Sequence, residues 1–434
     1  MSEVAQFAEQ LEVGGDAIYD KIAWRILPIL FLCYIVAYLD RVNVGFAKLQ
    51  MMGDLRFSDS VYGLGAGIFF IGYFLFEIPS NIILHKVGAR IWICRVLVSW
   101  GIVSGCTALV RTPGEFYAVR FLLGVAEGGF FPGMLLYFTY WFPSFRRAKI
   151  MAFLMAGNPI SGIVGGPLSG YILHHFPAGQ HIAGWQWLFI LEAIPAVILG
   201  VIVFFVLDDR AAGVTWLTAQ EKVVVADDIR HEGTTKTHHT IGSVFTSWRV
   251  WLMCSIYFSI GMGSYAIGFW QPTIISQTGV KNPFQIGLLV MLPYTVALLS
   301  MIIMGRHADK TRERRWHLVI PNLVAALGFL LCTQAGSSTP IAMLGLVLAV
   351  AGVVTALPMF WALPTSFLGG AAAAAGLALI NCMGNLSGFC SPTIMGFLKT
   401  STGTLNSGLL LVAGCQILSA LLIVGLVPAN LVNR

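Results

Sequence analysis

Four ionisable residues fall inside apolar stretches where a charge needs a reason to exist: Asp40, Arg41, Arg120 and Glu127. On insertion scales a charged side chain at the centre of a membrane helix costs at least ~2.5–3.5 kcal/mol. A carboxylate there can take up and release a proton, and a guanidinium offers a two-pronged fork to a substrate carboxylate. Together they suit coupled binding of protons and an organic anion. Asp40 and Arg41 differ by about 100° around a helix, so they face different neighbours. Arg41 shares a face with Tyr34 and Tyr38, and Asp40 shares one with Asn43. Arg120 and Glu127 lie two turns apart along one face, with Gly124 and Gly128 as a small-residue pair between helices and Pro132 placed to kink the next turn. The bland alternative is structural: Asp40 paired with an arginine, or Arg120 with Glu127.

These residues need a scaffold in lipid, and the composition supplies one. Of 434 residues, 57% are hydrophobic and only 11% charged, against about a quarter charged in soluble domains. The apolar residues form twelve blocks, each long enough for a helix to cross about 30 Å of hydrocarbon. They run over 22–46, 60–85, 90–111, 114–138, 150–175, 184–207, 250–275, 284–305, 317–335, 339–363, 370–398 and 405–428. The expected fold is an all-α membrane protein. On these boundaries Asp40 and Arg41 lie about 8–9 Å from the outer end of the first helix, and Glu127 roughly 20 Å from that of the fourth.

Lys and Arg concentrate on one side of these blocks, which places both termini in the cytoplasm. The net charge of +6 reflects this asymmetry and does not argue for nucleic-acid binding. The acidic start (Glu3, Glu9, Glu12, Asp16, Asp20) is the opposite of a signal peptide's basic region. Eight cysteines scattered through apolar blocks read as packing residues, and the pairs His174–His175 and His238–His239 lack the further ligands of a metal site. No metal or other cofactor is expected.

The sequence repeats itself. N-I-I-L-H-K-V-G-A-R at 81–90 is echoed by G-R-H-A-D-K-T-R-E-R-R at 305–315, an offset of 224 when His85 is set on Asp309. Ser161, Gly162, Pro167 and Gly170 recur as Ser387, Gly388, Pro392 and Gly396 at nearly the same offset. Residues 1–207 and 250–434 therefore read as two pseudo-symmetric six-helix bundles, joined by a charged cytoplasmic linker at 208–249 in which residues 216–229 could form a surface helix. Transporters built from such repeats bind substrate at the interface between the halves.

The loop repeats resemble the signature of the major facilitator superfamily, and the chain is most similar to its anion:cation symporters, notably bacterial tartrate- and phthalate-type permeases. The segments that carry this are Y-L-D-R-V-N-V-G-F-A (38–47), F-F-I-G-Y-F-L-F-E-I-P-S-N (69–81), R-F-L-L-G-V-A-E-G-G-F-F-P-G (120–133), G-W-Q-W-L-F-I-L-E-A-I-P (184–195) and F-W-A-L-P-T-S-F-L (360–368). One departure is His85, where the first loop motif usually has Asp. The resemblance implies that Asp40 and Glu127 handle protons and that Arg41 binds the substrate carboxylate. It also implies that Tyr73, Asn158, Trp361 and Asn381 contact substrate. From the residues alone, each of these four would serve equally as an interhelical hydrogen bonder or packing aromatic. Pro358 and Pro364 around Trp361 would break a helix, and broken helices at membrane depth tend to line cavities.

Arg120 either ties Glu127 or seals the outer gate. Asp309 with Arg306 and Arg312 is expected to bond helix ends of the opposite half at the cytoplasmic face and so stabilise one of two rocking states. Glu77, close in sequence to Lys86 and Arg90, reads as structural or gating, and Glu192 carries no assigned role. No G-x-x-x-x-G-K-[ST] nucleotide loop and no catalytic H-E-x-x-H or G-x-S-x-G run occurs, so the energy source is expected to be an ion gradient and the protein not an enzyme. The expected activity is proton-coupled uptake of a small organic carboxylate across the bacterial inner membrane by a monomer whose partners are substrate, protons and lipid. A facilitator, an anion exchanger or a sodium-coupled carrier would share the fold.

Overall fold

The structure is a computed structural model that describes residues 3–176, 181–233, 246–367 and 370–428, and among them every regular element is a helix. In chain order these are α1 (Glu3–Leu55), α2 (Asp59–Val87), α3 (Ala89–Cys106), α4 (Pro113–Glu127), α5 (Phe130–Thr139), α6 (Ser144–Met155), α7 (Gly157–His175), α8 (Gly184–Val206) and α9 (Ala219–Gly233). After the linker come α10 (Trp248–Gln277), α11 (Pro283–Thr311), α12 (Trp316–Thr333), α13 (Thr339–Phe360), α14 (Ala362–Phe367), α15 (Gly370–Thr402) and α16 (Asn406–Leu426). Among the described residues 11 spans are long and apolar enough to cross a membrane, and α15, 33 residues long, occupies the one remaining expected block, 370–398. His238 and His239 lie outside the described residues.

Local chemistry sets the starts of these helices. Ser58 accepts from Val61 N at α2, and Asn282 from Phe284 N at α11. At α4, Thr112 and Glu115 cap each other's backbone amides ahead of Pro113, whose missing N–H costs nothing there. Two departures from the sequence expectation matter for the site. The first helix runs on to Leu55, so Arg41 lies about 21 Å from its end. The fourth span breaks at Gly128–Gly129, before Pro132, because Gly129 adopts φ 87° where it presses on Ser80. Glu127 is then the last residue of α4, about 21 Å from Pro113. The two charges therefore meet at one depth.

The repeat is visible in the packing. Gly63 and Gly287, 224 residues apart, occupy matching crossings, one between α2 and α15 and the other between α11 and α7. A methyl on Gly396 would stand 3.0 Å from Gly63 Cα, and one on Gly170 would stand 3.1 Å from Gly287 Cα. Only glycine lets the backbones approach this closely. Both crossings lie toward the ends of the helices away from the basic loops, the distal end below.

The linker docks on the first half. Trp216 stacks on Trp141 at 5.7 Å, Tyr19 Oη donates to Asp228 at 2.7 Å, and Lys21 pairs with Glu221 at 3.0 Å. The surface helix there starts at Ala219, because Thr218 and Glu221 form a reciprocal cap. The Thr218 backbone amide, and then the Lys21 ammonium, hold the Glu221 carboxyl below its usual range.

Candidate functional site

A cavity between the two sets of helices, about 760 Å³ with its open mouth included, is lined by Arg41, Tyr73, Asn158, Trp361 and Asn381 together. These are the five substrate-contact residues expected from the sequence, carried on α1, α2, α7, the α13–α14 break and α15. Helix α13 is interrupted at Trp361, between Pro358 and Pro364, and the indole there meets the Tyr257 ring at 5.0 Å. Most of the remaining lining is aromatic or apolar: Tyr34, Tyr38 and Tyr265 join Tyr257. Such a wall suits an anion with an organic body, because it offers one charged anchor and broad contact surfaces.

Arg41 is that anchor. Its guanidinium lies over the rings of Tyr38, Phe69 and Tyr73 at 5.3, 5.4 and 5.5 Å, an aromatic cage that orients the cation. It is ion-paired to Glu127, which is 1% exposed. Arg41 Nε is buried without a hydrogen-bond partner among the described residues.

Of the two readings left open for Arg120, tying Glu127 or sealing the outer gate, the ion pair of Glu127 is made instead with Arg41. Arg120 is fully buried, donates from Nε to the Gly65 carbonyl at 3.3 Å and lies 5.1 Å from the Phe69 ring centroid. Its two terminal nitrogens have no hydrogen-bond partner among the described residues. Asp40 faces away from the cavity and accepts from Trp100 Nε1 at 2.7 Å, with Asn43 Nδ2 at 3.5 Å.

Glu77 is not tied to Lys86 or Arg90. It accepts from Asn381 at 3.0 Å and from Asn385 at 3.3 Å, so it links the two halves at the edge of the cavity. Asn381 thus divides its polar groups between Glu77 and the cavity. Asn381 and Asn385, four residues apart on one helix face, were the signal from which this contact could have been read. Asp309, with a 72% exposed side chain, pairs with Arg314 at 3.0 Å inside its own loop. Arg306 and Arg312 are exposed, and Arg312 caps α11 in the left-handed conformation. In this conformation the loop makes the Asp309 bond within itself rather than to the opposite half.

One cluster escaped sequence reading. Lys48, beyond the expected end of the first span at 46, is 4% exposed within α1 and pairs with Asp59 at 2.7 Å. Lys399 of α15 shares the same carboxylate at 3.0 Å, and the Lys48 ammonium sits 3.5 Å above the Trp270 ring of α10. Tyr62 Oη donates to the Phe269 carbonyl at 2.8 Å beside it. The halves are therefore tied together at the distal end.

Residues 30–392 match the family described as Major Facilitator Superfamily. Over 426 residues the chain is 45% identical to a putative metabolite transport protein, NicT, of Pseudomonas putida, covering 98% of this chain and 97% of that protein. It is 47% identical over 405 residues to a putative tartrate transporter of Agrobacterium vitis, covering 92% of each. The inward-open conformation of the xylose transporter XylE from E. coli superposes with a TM-score of 0.74 at 16% identity, over 93% of this chain and 96% of that one.

Proposed function

The chain belongs to the major facilitator superfamily, and on that premise we propose that it is a proton-coupled symporter of a small organic carboxylate, working by alternating access. One observation carries the reading: Arg41, the one cation in the cavity wall among the described residues, is held by a buried carboxylate rather than by solvent. Neither charge is stable alone at this depth. A substrate carboxylate can take the guanidinium only if Glu127 is neutralised, and a proton does that. Glu127 loaded with a proton releases Arg41 to the anion. Glu127 stripped of it reclaims the arginine and expels the anion. Asp40, in the neighbouring compartment, is the second proton-handling carboxylate in this cycle.

The relative's name, putative tartrate transporter, and the aromatic wall together favour compact hydroxy- or aromatic acids. The protein is placed in a bacterial inner membrane with both termini cytoplasmic, which makes the distal end the outer one. In this scheme residues 1–207 and 250–434 rock about the cavity. Asp309, Arg306 and Arg312 engage the opposite half when the basic end closes.

The test is uptake of labelled tartrate and phthalate into proteoliposomes, with and without an inward proton gradient. Wild type should accumulate substrate against its gradient only when the proton gradient is imposed. Glu127→Gln should lose accumulation. Accumulation indifferent to pH in both proteins would instead describe an exchanger, a facilitator or a sodium-coupled carrier.

A further inference from the structure

Helix α1 separates two groups of charge. Arg41 faces the cavity, whereas Asp40, about 100° round the helix, faces α3 and α8 and is 1% exposed. Glu192 of α8, 2% exposed, stands in the same compartment as an electrostatic neighbour of Asp40. Asn43 stands beside both carboxylates: its Nδ2 lies 3.5 Å from Asp40 Oδ1, and Glu192 is its electrostatic neighbour. Glu192 Oε1 accepts from Ser169 Oγ of α7 at 2.6 Å.

The charged groups facing this pair are Glu127 and Arg120 of α4, while α3 and α7 bring the neutral donors Trp100 and Ser169. Among the described residues no basic side chain forms a hydrogen bond or ion pair with Asp40 or Glu192. Neutral donors alone do not offset the burial of two negative charges. Two acceptor oxygens of the compartment, Glu192 Oε2 and Asn43 Oδ1, are buried with no donor among the described residues. Acceptor oxygens on two neighbouring side chains are satisfied at once by a proton between them.

We propose that Glu192 carries that proton on Oε2 and donates it to Asn43 Oδ1, so that Asp40, Asn43 and Glu192 form one buried proton-holding unit behind α1. The unit deepens the proton-coupled reading and rests on it for its part in transport, but the protonation itself is testable without substrate. No bond other than O–H forms, and the proton comes from water and returns to it. Because the unit lies on the far side of α1 from Arg41, an anion entering the cavity competes with Glu127 for the guanidinium and leaves the Glu192 proton in place. Glu192 thus holds the unit's proton beside Asp40, and Asn43 is the positioning residue that ties the two together.

Infrared difference spectra of the full chain in lipid nanodiscs, stepped from mildly acidic to alkaline pH, read the carboxylic-acid C=O stretch directly. Wild type should show a titrating band that is lost in Glu192→Gln and moved in frequency in Asn43→Ala. The glutamine keeps the acceptor for Ser169 and can itself donate to Asn43, so the variant should fold, and its melting temperature should stay at or above that of wild type. A band of full intensity in Glu192→Gln would overturn the assignment, as would a wild-type protein without one. A band abolished when sodium chloride replaces choline chloride would make the site a metal-cation site and overturn the proton. Because no substrate is present, a protein that shows the band but fails to accumulate carboxylates would refute symport and leave the proton on Glu192 standing.

Discussion

Arg41 and Glu127 meet because each lies about 21 Å from the distal end of its own helix, and their pairing governs what substitutions at either position will do. Removing one partner leaves a buried charge uncompensated, which typically costs about 3–5 kcal/mol, whereas removing both leaves none. Arg41→Ala is therefore expected to destabilise the protein strongly, and Arg41→Ala with Glu127→Gln by less than the two single effects combined, with a coupling of about 0.5–3 kcal/mol. Thermal unfolding of the four proteins in one detergent measures this, and additive effects would show that the pair does not act as a unit. At this scale Arg41, Tyr73, Asn158, Trp361 and Asn381, given as substrate contacts with the help of the family resemblance, all line one cavity. Their partners were misjudged. A single chain shows which residues share a helix face but not which neighbouring helix brings a group to the same depth. Arg41 with Glu127, Glu77 with Asn381, and Lys48 with Asp59 are all contacts between helices.

Helices behave differently depending on whether they pack within a half or across the two. Gly124 of α4 lies against α2, where an added methyl would stand 2.8 Å from the Tyr73 backbone nitrogen. That contact joins two helices of the same half, so Gly124→Ala is expected to lower stability by about 1–3 kcal/mol, the usual cost of overpacking, in an unfolding measurement. Gly287 of α11 lies against α7, with an added methyl 2.9 Å from the Gly166 carbonyl carbon. This crossing joins the halves, which can part. Gly287→Ala should therefore leave unfolding close to wild type but open the distal end, so that a cysteine at Thr393, on the matching α15 crossing beside Gly63, is alkylated faster. Unchanged alkylation would mean that the crossing does not report on opening. Helix positions were legible from the apolar blocks, because lipid leaves the backbone no alternative to helix. Their ends were not. The extension of α1 to Leu55 takes in charged residues such as Lys48, whose burial depends on Asp59 and Trp270 of other helices, and the break at Gly129 depends on contact with Ser80.

The two-fold organisation of the whole molecule was legible as an internal offset, but its conformation was not, because one sequence must support every state of a rocking cycle. Hydrogen bonds and ion pairs between the halves gather at the distal end. Asp59 of α2 is ion-paired to Lys48 and accepts from Lys399 Nζ, and Ser60 N donates to Thr400 Oγ1 at 2.9 Å. Farther from that end Glu77 bonds Asn381 and Asn385 across the halves, while Asp309 bonds Arg314 of its own half. The structure is thus closed distally, and Asp59 is the group whose loss should release it, since Lys48 would then be a buried cation left beside a second cation, Lys399, over the Trp270 ring. Hydrogen bonds to charged groups contribute about 1.5–3 kcal/mol each, so Asp59→Asn is expected to raise the distally open population by about 10- to 100-fold. Spin labels on the distal ends of α2 and α15 should show a longer distance component in Asp59→Asn than in wild type, while binding of a test carboxylate such as tartrate is retained because the cavity residues are untouched. Transport should slow, because a carrier biased toward one opening completes fewer cycles. A distance distribution identical to wild type would mean that the glycine crossings alone hold the distal end, and that the two lysines and their shared carboxylate serve only to bury one another's charge.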